Sequence, residues 1–245
     1  MCLLCGLNAP KKTQGLRRRE FVAGAAAAVA ASLRAKAEPH DNAPKPQNAI
    51  SPDAALDRLL EGNRRFLKGG EKPQDFRAER EALLRGQNPF AAVLSCADSR
   101  LAPAYIFDSE LGDLFNIRIA GNFAAPEVIA SFEYAVLKLN TPLLMVLGHE
   151  KCGAVEAALQ TARTGQRLPG HLPVLAEAIA PAIVGAERRR TEDQLAAAIN
   201  HNIQLNVAKI KASAPILDRA TGEKKIRVVG GLYRLESGRV DILYP

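Results

Sequence analysis

Two short apolar runs limit the folds open to this chain more than any other feature. "FAAVLSC" (90–96) and "LLMVLG" (143–148) are continuously hydrophobic, and each is bounded by polar or turn-forming residues. Runs of this length read as strands buried on both faces, as in a parallel sheet covered by helices. "LFNIRIAG" (114–121) supplies a further strand between them. Helical segments separate the strands. "APEVIASFEYAVLKLN" (125–140) has Pro126 in its first turn, "KCGAVEAALQTA" (151–162) follows the third strand, and "PVLAEAIAPAIVGA" (173–186) carries a kink or break at Pro181. A long helix starts at a capping box formed by Thr191 and Gln194, with Leu195, Ile199, Ile203, Val207 and Ile210 at helical spacing. "IRVVGGLYRLESGRVDILY" closes the chain with strands and a turn at Ser237–Gly238. Strands alternating with helices give an α/β fold with a mainly parallel sheet.

Ahead of the first strand, "SPDAALDRLLEGNRRFLKGG" reads as a helical arm. Ser51 caps it, Pro52 suits its first turn and Gly69–Gly70 end it. A second short helix is expected from about Ala78 to Arg85. Residues 38–51, rich in Pro and Asn, read as a linker, and residues 52–245 as one domain including the arm.

The formal charge of +7 raises the question of a nucleic-acid partner. Its distribution answers that question. Seven of the 33 basic residues and one of the 26 acidic ones fall in residues 1–37, so the body is nearly neutral and a nucleic-acid binder is excluded. The basic segment reads instead as an export leader. Paired Arg18 and Arg19 precede an Ala-rich apolar run from Phe21 to Leu33, and "AKA" (35–37) offers a small-x-small cleavage pattern. The run is shorter than the roughly 20 residues a bilayer span takes. The paired arginines point to the twin-arginine route, hence a periplasmic protein with no stable membrane anchor once the leader is removed. An unused leader, the alternative, would leave the protein in the cytoplasm. Cys2 and Cys5 lie in this leader, which leaves Cys96 and Cys152 in the body. No G-x-G-x-x-G or P-loop pattern occurs, so no nucleotide cofactor is expected.

Chemistry in an open parallel sheet gathers at the carboxyl ends of strands. Two such ends are dense in reactive side chains. "SCADSR" (95–100) places Cys96, Asp98 and Arg100 at alternate positions, on one face if the stretch is extended. "GHEKCGAV" (148–155) sets His149 and Cys152 three residues apart, on a shared face where the chain turns helical. If the two strands are neighbours, two thiols, an imidazole and a carboxylate converge, a donor set that suits zinc and not calcium or magnesium. Asp98 could fill a fourth zinc position, or be held off the metal by a bidentate Arg100 and leave that position to water. Zinc lowers the pKa of such a water from about 15.7 to about 7. A Cys96–Cys152 disulfide, a purely structural zinc site and a scaffolding Asp–Arg pair are the competing readings. His40, His171 and His201 read as linker, surface and structural residues.

These motifs, joined by "IFDSELGDLFNIRIAGN" and "SFEYAVLKLN", resemble the β-class carbonic anhydrases, from about Ala54 to the end of the chain. The resemblance implies zinc held by Cys96, His149 and Cys152, with Asp98–Arg100 as the catalytic dyad. It implies reversible hydration of CO2 to bicarbonate and a proton through a zinc-bound hydroxide. It also implies a homodimer or higher homo-oligomer, with N-terminal helices wrapped round the partner. Gln87, Phe115, Tyr134 and Gly153 carry over as substrate-binding residues, and Gln87 would donate to the oxygen that becomes negative. One subgroup has tryptophan three residues before the first cysteine and binds bicarbonate as a regulator. Val93 stands there in this chain, which has no Trp, so the open, unregulated Gln-containing subgroup is expected. Arg118 matches an arginine of both subgroups, and Ala104 replaces a glutamate of many members. A related zinc hydrolase acting on CS2 or COS, and a non-catalytic zinc-stabilised module, are the alternatives.

Overall fold

The computed structural model describes residues 49–184, 186 and 191–245. The expected leader, its two cysteines and most of the linker lie outside them, as does the side chain of Thr191 on which the capping box depends. The order of elements is α1 (Pro52–Lys68), α2 (Phe76–Ala82), β1 (Ala91–Ser95), α3 (Pro103–Ile106), β2 (Leu114–Arg118), α4 (Pro126–Leu139), β3 (Leu143–His149), α5 (Gly153–Thr164), α6 (Pro173–Val184), α7 (Thr191–Lys211), α8 (Leu217–Gly222), β4 (Arg227–Tyr233) and β5 (Val240–Tyr244). None of the described helices is long and apolar enough to cross a membrane.

The five strands form one sheet in the order β2-β1-β3-β4-β5. β1 runs parallel to β2 and β3, β3 runs parallel to β4, and only β5 is antiparallel. The chain leaves β1 toward one edge and returns to β3 on the other side. The carboxyl ends of β1 and β3 therefore flank a topological switch point, the crevice where open α/β sheets take their ligands.

The apolar runs occupy the centre. Every residue of β1 and β3 is buried. Leu94, Leu144, Met145 and Leu147 are fully enclosed, each contributing about 1.5–3 kcal/mol by leaving water. β2 is half-exposed at the sheet edge. The long helix α7 lies against β3 and β4. Ile203 approaches so closely that a Cβ on Gly148 would meet it at 2.6 Å and one on Gly230 at 2.7 Å.

The arm is set as its sequence requires. Ser51 Oγ accepts the Ala54 N–H at 3.1 Å, and α1 ends at Gly69 in the left-handed region. Buried Asn63 ties α1 to the body. Its Nδ2 donates to the carbonyls of Ile106 and Gly238, both at 3.0 Å, and its Oδ1 accepts the Val240 N–H at 2.9 Å. Arg58 grips Asp113 through both carboxylate oxygens at 3.0 Å. The second helix is shifted from its expected place at Ala78–Arg85. Asp75 caps it, accepting the Arg77 and Ala78 N–H groups, and it ends at Ala82. α6 runs unbroken through Pro181. The short helices α3 and α8 were not among the expected elements, although Pro103 stands in the first turn of α3.

Candidate active site

β1 ends at Ser95, and the chain beyond it turns instead of continuing extended. Cys96, Asp98 and Arg100 are thus not aligned by strand alternation as the spacing suggested. Asp98 organises the turn. Its carbonyl accepts the Leu101 N–H at 3.0 Å and its Oδ1 accepts the Arg100 N–H at 3.0 Å. The expected pair forms through this turn: Arg100 Nε donates to Asp98 Oδ1 at 2.9 Å and Nη2 to Oδ2 at 2.7 Å. Two parallel charged hydrogen bonds of this kind fix both partners. The Arg100 guanidinium holds the Asp98 carboxyl well below the usual carboxylate range, against the opposing effect of burial. Asp98 is 17% exposed and Arg100 51%, so the carboxylate faces inward from a solvent-facing clamp.

The second strand end also departs from expectation. His149 is the last residue of β3, and Cys152 is the N-cap of α5. They do not share a helix face. A tight loop joins them, with Lys151 in the left-handed region at φ 51°. That bend brings Cys152 back over the end of β3.

The outcome is convergence. One donor atom each from Cys96, His149 and Cys152 lies within 4.8 Å of the others, and all three residues are buried. The sulfurs are 4.0 Å apart and both cysteines are free, which removes the disulfide reading. His149 Nδ1 meets the Glu150 carbonyl at 2.8 Å, while its buried Nε2 has no hydrogen-bond partner. Asp98 Oδ2 stands 3.9 Å from that nitrogen.

An orphaned buried imidazole nitrogen beside two buried thiols needs a ligand. Two sulfurs bound at about 2.3 Å to one tetrahedral centre lie about 3.8 Å apart, so the observed spacing fits zinc. The two sulfurs are within reach of a mutual hydrogen bond. Cys96 is pushed down to about 4, chiefly by the hydrogen bond from Cys152, with burial opposing and His149 and the Gly121 N–H adding to the effect. The same pairing, with burial, pushes Cys152 up.

Arg118, at the end of β2, donates to the Cys96 carbonyl at 3.2 Å and to the Asp98 carbonyl at 2.9 Å, bracing the whole turn. The Gly121 N–H donates to Cys96 Sγ at 3.3 Å, from a backbone with φ of +85°. On the buried face of α7, Asn202 Nδ2 donates to the Gly121 carbonyl at 2.9 Å and Asn206 Oδ1 accepts the Ala124 N–H. Sequence reading missed Gly121, Asn202 and Asn206; the paired asparagines at i and i+4 inside an apolar helix stripe were the available signal.

The residues expected to bind substrate are placed less tightly. Phe115 on β2 and Tyr134 on α4 stack with ring centroids 6.1 Å apart, and Tyr134 is 50% exposed. Gln87 is exposed in the segment before β1, Gly153 opens α5 with no atom near its missing Cβ, and Val93 is buried within β1.

Residues 91–240 match the family model described as carbonic anhydrase. The chain belongs to the β-carbonic anhydrase family. Among its relatives, "Carbonic anhydrase 2" of Mycobacterium tuberculosis is 37% identical over 193 residues, spanning 77% of this chain and 91% of that one. A carbonic anhydrase of Mycolicibacterium smegmatis is 34% identical over 196 residues, spanning 78% and 93%. The solved β-carbonic anhydrase CcaA superposes with a TM-score of 0.60 at 28% identity, over 78% of this chain and 92% of its own. A tetrameric β-carbonic anhydrase of Sordaria macrospora shares the fold with a TM-score of 0.60 at 19% identity, over 93% and 98%. The activity that accompanies membership is the reversible hydration of carbon dioxide.

Proposed function

We propose that Cys96, His149 and Cys152 hold zinc in this chain, that Asp98 and Arg100 form its catalytic dyad, and that the product pair is bicarbonate and a proton. The observation that carries the reading is the convergence of two buried thiols and a bare imidazole nitrogen beside a clamped carboxylate. Zinc at such a site supplies an acidified water as the nucleophile at neutral pH. Asp98, kept ionised by Arg100, offers Oδ2 as an acceptor for an O–H group beside His149 Nε2 and thereby orients it. The bidentate hold on Asp98 favours an open site over one that the carboxylate closes. It therefore favours catalysis over a purely structural zinc module. Gln87 donates its amide to the substrate oxygen on which charge develops, Gly153 lets the substrate approach the start of α5, and Phe115 with Tyr134 keeps water sparse. The pairing of Gln87 with Val93 supports the open, unregulated subgroup.

The exposed apolar side chains Phe76, Tyr105, Tyr134 and Leu137 support a homodimer or larger homo-oligomer that covers them. In one chain α1 is fastened to its own body by Asn63 and Arg58, and α2 by Glu79, whose Oε2 accepts the Leu111 N–H at 2.9 Å. Paired Arg18–Arg19, the apolar run and the small-x-small pattern support export of residues 38–245 to the periplasm with 1–37 as the leader. N-terminal sequencing of the protein recovered from a periplasmic fraction checks this.

The decisive experiment replaces Cys152 with Ser and quantifies zinc and CO2 hydration in the same sample. Loss of both is expected. Hydration retained in the metal-free variant overturns the reading. Rates on CO2 and COS, measured side by side, distinguish a hydratase from a COS hydrolase.

A further inference from the structure

A chain of polar contacts that the reaction does not use runs from the sheet edge to the metal-ligating histidine. His149 pairs in register with Tyr233. Just beyond it, the Glu150 N–H donates to the Tyr233 carbonyl at 3.2 Å, while the Glu150 carbonyl lies 2.8 Å from His149 Nδ1. The Glu150 side chain is fixed as well. Its Oε1 accepts Arg234 Nη1 at 2.9 Å and its Oε2 accepts the Leu235 N–H at 3.1 Å. Arg234 Nε in turn donates to Asp241 Oδ2 at 2.7 Å, and Asp241 Oδ1 pairs with Arg239 Nε at 2.7 Å. The turn carrying these arginines is closed on itself, with the Arg234 N–H donating to the Arg239 carbonyl at 2.8 Å.

A carbonyl only accepts. The contact between His149 Nδ1 and the Glu150 carbonyl is therefore a hydrogen bond only while the proton sits on Nδ1. A neutral imidazole has one such proton, so its Nε2 is left with a bare lone pair. The position of that carbonyl depends on residue 150, in a loop whose next residue, Lys151, is held in the left-handed region. The carboxylate of Glu150 anchors this loop to Arg234 and Leu235, which lie 84 and 85 residues away in the chain.

We propose that Glu150 and Arg234 are positioning residues for the metal-ligating histidine: the Asp241–Arg234–Glu150 chain fixes the Glu150 carbonyl, which keeps the proton of His149 on Nδ1 and its Nε2 directed to the metal. The inference rests on the reading of His149 as a zinc ligand. Groups that hydrogen-bond to metal-ligating histidines are typically worth about 10–100-fold in metal affinity.

The test uses the full chain loaded with zinc. Zinc affinity is measured by competition with a chromophoric chelator, and the visible spectrum of the cobalt(II)-substituted protein reports ligand geometry. Glu150→Ala and Arg234→Ala keep the carbonyl and lose only its anchor, so each should lose zinc affinity by several-fold, short of the about 10–100-fold of a direct partner, and shift the cobalt bands. Glu150→Gln, which keeps an acceptor oxygen, should lose less. Asp53→Asn removes a comparable ion pair to Arg227 at the opposite end of β4 and should stay within about twofold of the parent. If the alanine variants do not fold, Arg234→Met, which keeps the side chain's length but donates to neither Glu150 nor Asp241, carries the comparison against Asp53→Asn. Parental affinity and an unchanged cobalt spectrum in the Glu150 and Arg234 variants overturn the inference, as does an equal loss in Asp53→Asn. A parent that binds no zinc overturns the metal reading beneath it instead.

Discussion

Asn202 offers a test of how the fold supports the metal cluster from a distance. The residue is buried on α7, outside the reaction. Its Nδ2 donates to the Gly121 carbonyl at 2.9 Å, and its Oδ1 accepts from Asn206 Nδ2 at 3.0 Å. The other face of Gly121 presents its N–H to Cys96 Sγ. Asn202→Leu is similar in volume but supplies neither bond. The Gly121 carbonyl is then orphaned in the interior, at about 1–3 kcal/mol, and the bond from Asn206 adds roughly 0.5–1.5 kcal/mol. Asn206 itself keeps a partner, because its Nδ2 also donates to the Asn202 backbone carbonyl at 2.7 Å. The expected loss is therefore roughly 2–4 kcal/mol. For a domain of this size that is about 5–15 °C in Tm. Thermal unfolding followed by circular dichroism at saturating zinc reads it directly. Gln204→Leu, exposed on the same helix, sets the baseline and should change stability by no more than about 0.5 kcal/mol. A melting point for Asn202→Leu within about 2 °C of the parent would refute the claim that this asparagine braces the Gly121 loop.

Further outcomes follow from other contacts. The folded-state pKa of Asp98 is depressed by Arg100, so the pair's stabilising effect is fully present above the ordinary carboxylate pKa of about 3.9 and is lost as pH falls through the lower folded value. Arg100→Leu should abolish that dependence, so the stability difference from the parent is constant at neutral pH and shrinks in acid; a difference that grows on acidification contradicts the pairing. Gly62→Ala puts a Cβ 1.8 Å from the Phe107 carbonyl oxygen, a backbone atom that cannot step aside. It should cost more than about 3 kcal/mol in urea unfolding and detach α1 from the body. Zinc should shield Cys96 and Cys152 from iodoacetamide, with slower labelling in the zinc-loaded protein than after chelation; equal labelling of the two forms would argue against metal on those sulfurs.

The parts of this protein that sequence made legible are those written in local pattern. The unbroken apolar runs of β1 and β3 announced buried parallel strands, and Ser51, Pro52 and Gly69 marked both ends of α1. Cys96, His149 and Cys152 stood out because they lie at or just beyond strand ends, and the sheet order places those ends side by side. The route by which they meet was not legible. Alternation suggested an extended 95–100 and helical spacing suggested a shared face for His149 and Cys152. A turn built on Asp98 and a left-handed Lys151 do that work instead. α2 begins at Phe76, ahead of the expected Ala78, because Asp75 caps the Arg77 and Ala78 N–H groups. The bracing of the site was hidden for a different reason: Glu150 meets Arg234 across 84 residues and Asn202 meets Gly121 across 81, distances at which no local period carries a signal.

The central claim is that one zinc, held by two sulfurs and one imidazole, makes this chain a carbon dioxide hydratase. Stopped-flow CO2 hydration during stepwise return of zinc to chelator-stripped protein tests it most directly. The rate should rise in proportion to bound metal and level off at one zinc per chain. Full hydration before any zinc is added, or a zinc-saturated protein inert toward CO2, would contradict it.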